Sequence, residues 1–378
     1  MRSFEAIAGV LLLLAVLLDA FEAIILPRRV TRRFRITRLF YRTTWKPWRA
    51  VGLRMHSAKA REAFFSFFGP LSLLLLLVVW AIGLIVGFAL LLLAMGPPAA
   101  AFPGKFDFPA ALYMSGTNFF TLGLDEVVPH TTPGRIMTVF EAGMGFGFLA
   151  IVIGYLPVIY QSFSRREVAV VLLDARAGSP PTAAELLRRH SHRQGMDALQ
   201  QVFFEWERWS AELLESHLSY PVLTYYRSQH DNQSWLGALT AILDACALTI
   251  VGVEGACVKQ AQLTFAMTRH AVVDLAQIFK APPLAPRHDR LPPADLLRMR
   301  EMLRQAGLKI RTGPAEDEKL TQLRNMYEPY VNALADFLAI SVPPWIHPKS
   351  VTDNWRTSVW SRIADAPGDE SSASDNHL

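Results

Sequence analysis

Thr121-Leu122-Gly123-Leu124-Asp125-Glu126 interrupts the most apolar part of the chain. Upstream, residues 71–95 run for 25 residues without a charge, long enough to cross a bilayer with some tilt. Downstream, residues 134–160 form another long apolar stretch, in which Glu141 is the one acid. Between the two, residues 108–120 are apolar and helix-like but too short to cross. Asp107 suits the N-cap of such a helix. Pro109 suits its first turn, where the missing N–H would have had no partner. A short helix between two spans enters the membrane and turns back. Non-helical backbone at that depth is tolerated only where protein buries it or where it lines a wet pathway. The quoted six residues are that backbone.

The frame around them resembles the pore loop of the tetrameric potassium-channel superfamily. There the filter reads T-V-G-Y-G-D, a Pro follows three residues later, and a Gly-Arg pair opens the inner helix. Thr121, Gly123, Pro129, Gly134 and Arg135 hold those places with no insertion or deletion. Leu122 replaces Val, Leu124 stands where Tyr is usual, and Asp125 stands where the second Gly is usual. Phe120 replaces a Thr or Ser. The resemblance covers about residues 63–167 and is to the bacterial two-span type. It implies a homotetramer in a bacterial plasma membrane, with potassium, and sodium beside it, as permeant monovalent cations and no other cofactor. Carried over by position, the selectivity filter is Thr121, Leu122, Gly123, Leu124 and Asp125, whose carbonyls replace the ion's water shell. Glycine at 123 keeps access to left-handed dihedrals.

The departures shape the expected function. Asp tolerates the left-handed region better than most residues, so the backbone survives at Asp125. Fourfold symmetry would ring the outer mouth with Asp125 carboxylates, with Glu126 adding more. Such rings concentrate cations and bind divalent ions. Like-charge crowding raises carboxylate pKa values and makes conduction depend on pH. Leu124 and Phe120 remove hydroxyls that would brace the filter. The expectation is a cation channel with an altered, weakly selective filter and no enzymatic activity. The alternative is a non-conducting membrane scaffold or sensor on the same fold, since shared architecture does not guarantee shared selectivity. A membrane-tethered enzyme is a third option without a site to support it.

Gly143, Gly145 and Gly147 alternate in the middle of the last span, and Gly154 and Pro157 lie lower. By position Gly145 matches the family's hinge glycine. Each glycine lowers helix stability by up to about 1 kcal/mol relative to Ala. In membranes small residues equally permit close helix packing. Pro157 disrupts the helix ladder near the cytoplasmic mouth. Gly145, Gly154, Pro157 and Tyr160 are therefore candidate hinge or gate residues, with the narrowest point expected around residues 155–160. Glu141 either hydrogen-bonds behind the filter or faces the cavity.

Bulk composition agrees with a membrane protein of two parts. Hydrophobic residues make up 51% of the 378 and the net charge is +5. Apolar runs crowd the first 160 residues, and the remainder has the composition of a soluble helical protein. Residues 27–62 carry twelve Arg or Lys against one acid, Glu62. Arg28, Arg29, Arg32, Arg33, Arg35, Arg38 and Arg42 alternate with Phe34, Ile36, Leu39, Phe40 and Tyr41, before Trp45 and Trp48. A nucleic-acid arm has similar composition. Between two spans, anionic lipid headgroups explain it more simply, so no nucleic-acid partner is expected. The positive-inside rule places this linker in the cytoplasm and the N-terminus outside.

Residues 7–26 are just long enough for a further span. A cleaved signal peptide competes with this reading. The acids Asp19 and Glu22 and the lack of a small-x-small site argue for retention. These acids either meet Arg28 and Arg29 at the interface or, as costly intramembrane groups, contact the pore domain or act as a sensor.

The C-terminal half predicts helices at about residues 162–177 (continuing the inner helix), 196–219, 233–250, 253–279, 294–306 and 315–341, with no alternating strands. Thr182 and Glu185 form a capping box. Residues 235–258 are apolar enough to suggest a fourth span, but Asp244, Glu254 and Lys259 favour a buried helix of a bundle. Cys246 and Cys257 match no zinc spacing and are expected to be free thiols. His190, His192, His217, His230 and His270 lack a ligand set, although His270 and Asp274 share a helix face. Neither a nucleophile elbow nor a G-x-G-x-x-G fingerprint occurs. A ligand or protein partner at these helices stays open. The expected organisation is all-α. It runs from an N-terminal transmembrane helix (1–26) through a basic surface linker (27–62), a pore domain (63–163) and a helical cytoplasmic domain (164–365) to a disordered tail (366–378).

Overall fold

The computed structural model describes residues 2–26, 35–96, 106–124, 131–191, 195–230, 232–286 and 288–347. Arg28, Arg29, Arg32, Arg33, Asp125, Glu126, Pro129, His192 and the tail lie outside them. The described residues form helices and the loops between them, with one isolated bridge, Val253 to Ile310. The chain divides into two compact units, Met1–Arg165 with Glu215–Arg227, and Arg166–Leu214 with Ser228–Leu378.

The first unit contains α1 (Arg2–Ile24), α2 (Ile36–Gly52), α3 (Ala58–Ser66), α4 (Phe68–Met95), α5 (Phe108–Phe119) and most of α6 (Thr132–Ala177). Glycine lets α1 lie directly on α4. A Cβ on Gly9 would stand 2.8 Å from the Gly87 carbonyl oxygen, and one on Gly83 would stand 2.8 Å from a Val16 methyl. Gly83 and Gly87 are one turn apart, the spacing that brings membrane helices into backbone contact. Leu13, Val16, Trp80, Leu84 and Phe88 close the seam. Asp19 is buried against α4 and accepts from the Trp80 indole at 3.0 Å. It also accepts from the Thr37 backbone N–H at 3.0 Å and the Thr37 hydroxyl at 2.6 Å. Arg35, at the N-cap of α2, supplies no side-chain cap, so Asp19 caps that helix from another part of the chain. The expected interfacial pairing with Arg28 and Arg29 falls on residues outside the description. The basic group found beside Glu22 and Asp19 is Arg35, at 3.4 and 3.9 Å. Of the two expected settings, Asp19 thus contacts α4, within residues 63–163.

The α2 helix has two faces. Arg38, Arg42 and Lys46 recur one turn apart and stay exposed, whereas Trp45 is buried and Tyr41 and Trp48 are partly covered. One face of α2 is thus basic and exposed, and the other is aromatic and covered.

The second unit holds α7 (Ala183–Arg189), most of α8 (Gly195–Ser219), α9 (Trp235–Gly252), α10 (Val258–Ile278), α11 (Pro293–Gln305), α12 (Pro314–Asn325) and α13 (Glu328–Leu338). The Thr182 hydroxyl caps α7 through the Glu185 N–H at 3.3 Å, as the capping box predicts. Among the described residues, four helical stretches are long and apolar enough to cross a membrane, α9 among them. The most apolar window of α9 is 100% buried within the chain, against 11% for that of α6. Its apolar surface is therefore used up by neighbouring helices, as expected of a bundle core. The single helix expected over residues 315–341 is two helices. Tyr327 leaves the helical region at φ −131°, and Pro329, which cannot donate to a continuing ladder, sits in the first turn of α13.

Asp244 on α9 lies in a buried ionic cluster. The Arg290 guanidinium is 2.6 Å from Asp244, 3.1 Å from Glu328 and 2.8 Å from the Pro343 carbonyl, and the Tyr327 hydroxyl donates to Asp244. Arg290 thus neutralises the buried Asp244 and shares the buried Glu328 with Arg324, whose guanidinium lies 3.1 Å from it. Arg290→Ala would leave Asp244 without its neutralising charge at a cost of about 3–5 kcal/mol. We expect faster native-state hydrogen exchange throughout α9 in that variant. Unchanged exchange would show that the cluster contributes little.

Candidate functional site

The short helix α5 forms as its sequence specifies. The Asp107 carboxylate accepts from the Ala110 N–H at 3.2 Å, and Pro109 lies in the first turn. Its far end closes in a double hydrogen-bonded turn. The Leu122 N–H reaches the Thr117 carbonyl at 2.9 Å and the Thr121 N–H reaches the Asn118 carbonyl at 3.0 Å. This is a Schellman ending, whose left-handed position is usually filled by glycine. Thr121 fills it, with φ 53°. A β-branched residue there is strained by roughly 1–2 kcal/mol. Gly123 is also left-handed, at φ 66°, whereas Leu122 and Leu124 are not. Alternating handedness lets successive carbonyls turn to one side instead of alternating as in a strand. The Phe120, Leu122 and Leu124 side chains are exposed on the single chain.

Polar groups fix α5 from behind. The Ser115 hydroxyl lies 2.7 Å from the Ile85 carbonyl of α4 and hydrogen-bonds the Glu141 carboxylate of α6. The Asn118 amide donates to the other Glu141 oxygen at 3.3 Å. Glu141 is fully buried. Of its two expected roles, Glu141 takes the hydrogen-bonding one, toward α5. Ser115 and Asn118 stand on either side of Thr117 in a mostly apolar short helix, and nothing in the sequence singles out these two or their partner.

Gly145 touches the same helix. A Cβ on it would stand 1.9 Å from the Phe119 carbonyl oxygen, so α6 can lie against the end of α5 only where this side chain is absent. Close packing therefore accounts for a glycine at the expected hinge position. Gly143, Gly147 and Gly154 have no heavy atom within 4 Å of an added Cβ. They share the open side of α6 with exposed Val139, Phe146, Ile153 and Tyr160. Pro157 lies inside the continuous 46-residue α6, which runs on to Ala177. At its start, the Thr131 hydroxyl accepts from the Gly134 N–H at 3.2 Å.

Residues 74–161 match the family model described as Ion channel. The match begins within α4, contains α5 and the turn after it, and ends low on α6. It supports an ion channel. With the apolar helices it indicates a membrane protein. No curated protein and no solved structure matches the chain. Among the described residues no group of His, Cys, Asp and Glu is placed to hold a metal ion. His270 and Asp274 lie 3.8 Å apart on the exposed face of α10.

Gly145→Ala should force α6 off the end of α5. Overpacking of this kind costs about 1–3 kcal/mol or more. We expect a lower thermal midpoint for the purified protein in detergent. An unchanged midpoint would show that the two helices separate freely.

Proposed function

We propose that the chain is a cation channel whose pore is built by four copies around the carbonyls of Thr121, Leu122, Gly123 and Leu124. The observation that carries this reading is the backbone after α5. It turns left-handed at Thr121 and again at Gly123, on a helix end anchored by Glu141 and Gly145. A threonine strained into a glycine position is explained if its hydroxyl and carbonyl are needed there, since such strain collects at functional sites. The match over residues 74–161 supports the same reading. The exposed faces of α6 and of residues 120–124 are apolar surface that further copies and lipid would cover.

On this reading Asp125 and Glu126 ring the outer mouth and draw in cations. Selectivity among monovalent ions is weak, because Leu124 supplies no hydroxyl to brace the filter. The N-terminus lies outside and the second unit in the cytoplasm of a bacterial cell. The Arg38, Arg42 and Lys46 face of α2 rests on anionic headgroups, each basic residue contributing about 1 kcal/mol near such a surface.

The test is cation flux from liposomes holding the purified protein, with potassium, sodium and calcium gradients compared. We expect flux of potassium and sodium together, lost in Gly123→Val. In Asp125→Gly we expect weaker block by divalent ions. Unchanged permeation in that variant would remove the role given to Asp125. Intact tetramers without flux would favour the scaffold reading.

A further inference from the structure

The segment Glu215–Arg227 belongs to the first unit, whereas the chain on either side of it, through Leu214 and from Ser228, belongs to the second. Nothing in its composition marks it as a membrane-unit element. Its core is a 3-10 helix, Pro221–Tyr225. Val222 and Leu223 are buried in a cluster with Leu73 of α4 and Ile159 of α6. On the α6 side, Tyr220 meets Tyr155 edge-on at 5.8 Å between ring centres, and Tyr226 packs on Phe163 at 5.5 Å. On the α4 side, Tyr226 occupies the space left by Gly69, where a Cβ would stand 2.6 Å from its ring. Toward α2, Tyr225 stacks flat on Tyr41, with 5.3 Å between centres and 5° between planes. An ionic contact closes the segment. The Arg227 guanidinium lies 3.6 Å from Glu62 and 4.9 Å over the Phe65 ring.

This short stretch therefore grips four elements at once: α6 around Pro157, the base of α4, the helix α2 and, through Arg227, α3. The residues it holds on α6 run from 155 to 163 and bracket Pro157, where the helix lacks a ladder hydrogen bond and bends most easily. Any widening at the inner end of α6 must shift those residues relative to α4. That shift would shear Tyr155, Ile159 and Phe163 away from Tyr220, Val222 and Tyr226. Packed clusters of this kind resist small continuous displacement and yield as a unit.

We propose that Glu215–Arg227 is a gating strap. It pins the inner end of α6 to α4 and α2. The pore opens when the strap yields, and the second unit, joined to both its ends, is what draws on it. The proposal rests on the reading that α6 lines a conducting pore.

The test uses the full chain in liposomes, carrying Cys246→Ala and Cys257→Ser to remove the native thiols. Phe163→Cys and Tyr226→Cys are added, and a short bifunctional thiol reagent with a reducible linker joins them. We expect linking to lower cation flux by about tenfold, a modest shift for a two-state equilibrium, and reduction to restore it. Either single-cysteine protein should show no such change. Linked protein, verified by mass spectrometry, that conducts like the reduced protein would overturn the strap. Tyr226→Ala, which loosens the grip without a tether, should instead raise flux, and equal or lower flux in correctly assembled protein would also overturn it. Wild-type protein that carries no flux at all would overturn the channel reading, and the gating role with it, and is told apart by that control.

Discussion

The hold of α6 on the end of α5 is the constraint on which the backbone of residues 120–124 depends. Gly145 lets the α6 backbone approach the Phe119 carbonyl. Glu141 reaches over to Ser115 and Asn118, and Ser115 continues the chain of contacts to α4. A carboxylate buried in this apolar setting is tolerable only because its oxygens have donors. The arrangement is therefore all-or-none. Loss of one donor leaves a buried polar group unsatisfied at about 1–3 kcal/mol. In return, the helix end is rigid enough to hold Thr121 in a left-handed conformation that a free threonine would leave. From that point the backbone alternates, and the carbonyls of residues 121–124 can, on the proposed reading, be presented together as a filter.

A second set of contacts ties the N-terminal helix to this framework. With Gly9 against Gly87 and Val16 against Gly83, α1 and α4 touch along their backbones. Asp19 then joins α1 to Trp80 of α4 and caps α2. The basic helix α2 is thus fastened to α4 at one buried carboxylate. It also stacks on the Pro221–Tyr225 segment through Tyr41 and Trp45. A displacement of α2 would be felt at both places.

What could be seen in the sequence followed from local rules. Asp107 and Pro109 announced the start of α5, Thr182 and Glu185 announced α7, and the charges within residues 235–258 pointed to a buried helix in place of a span. The left-handed turn at Gly123 was legible because glycine signals it. The one at Thr121 was not, because tertiary anchoring overrides the threonine's own preference. Gly145 shows the limit of reasoning by position, since a hinge and a close contact require the same residue and only the neighbour's coordinates separate them. The break before α13 was missed because Pro329 stands inside an otherwise helical pattern. The membership of Glu215–Arg227 in the first unit was invisible, since it depends on partners distant in sequence.

The most direct measurement of the central claim is an electron cryomicroscopy reconstruction of the full chain in lipid nanodiscs. The account predicts a fourfold ring with residues 121–124 on its axis, the carbonyls facing inward, and α1 on the periphery against α4. A monomer, or an assembly with residues 121–124 away from the axis, would contradict it.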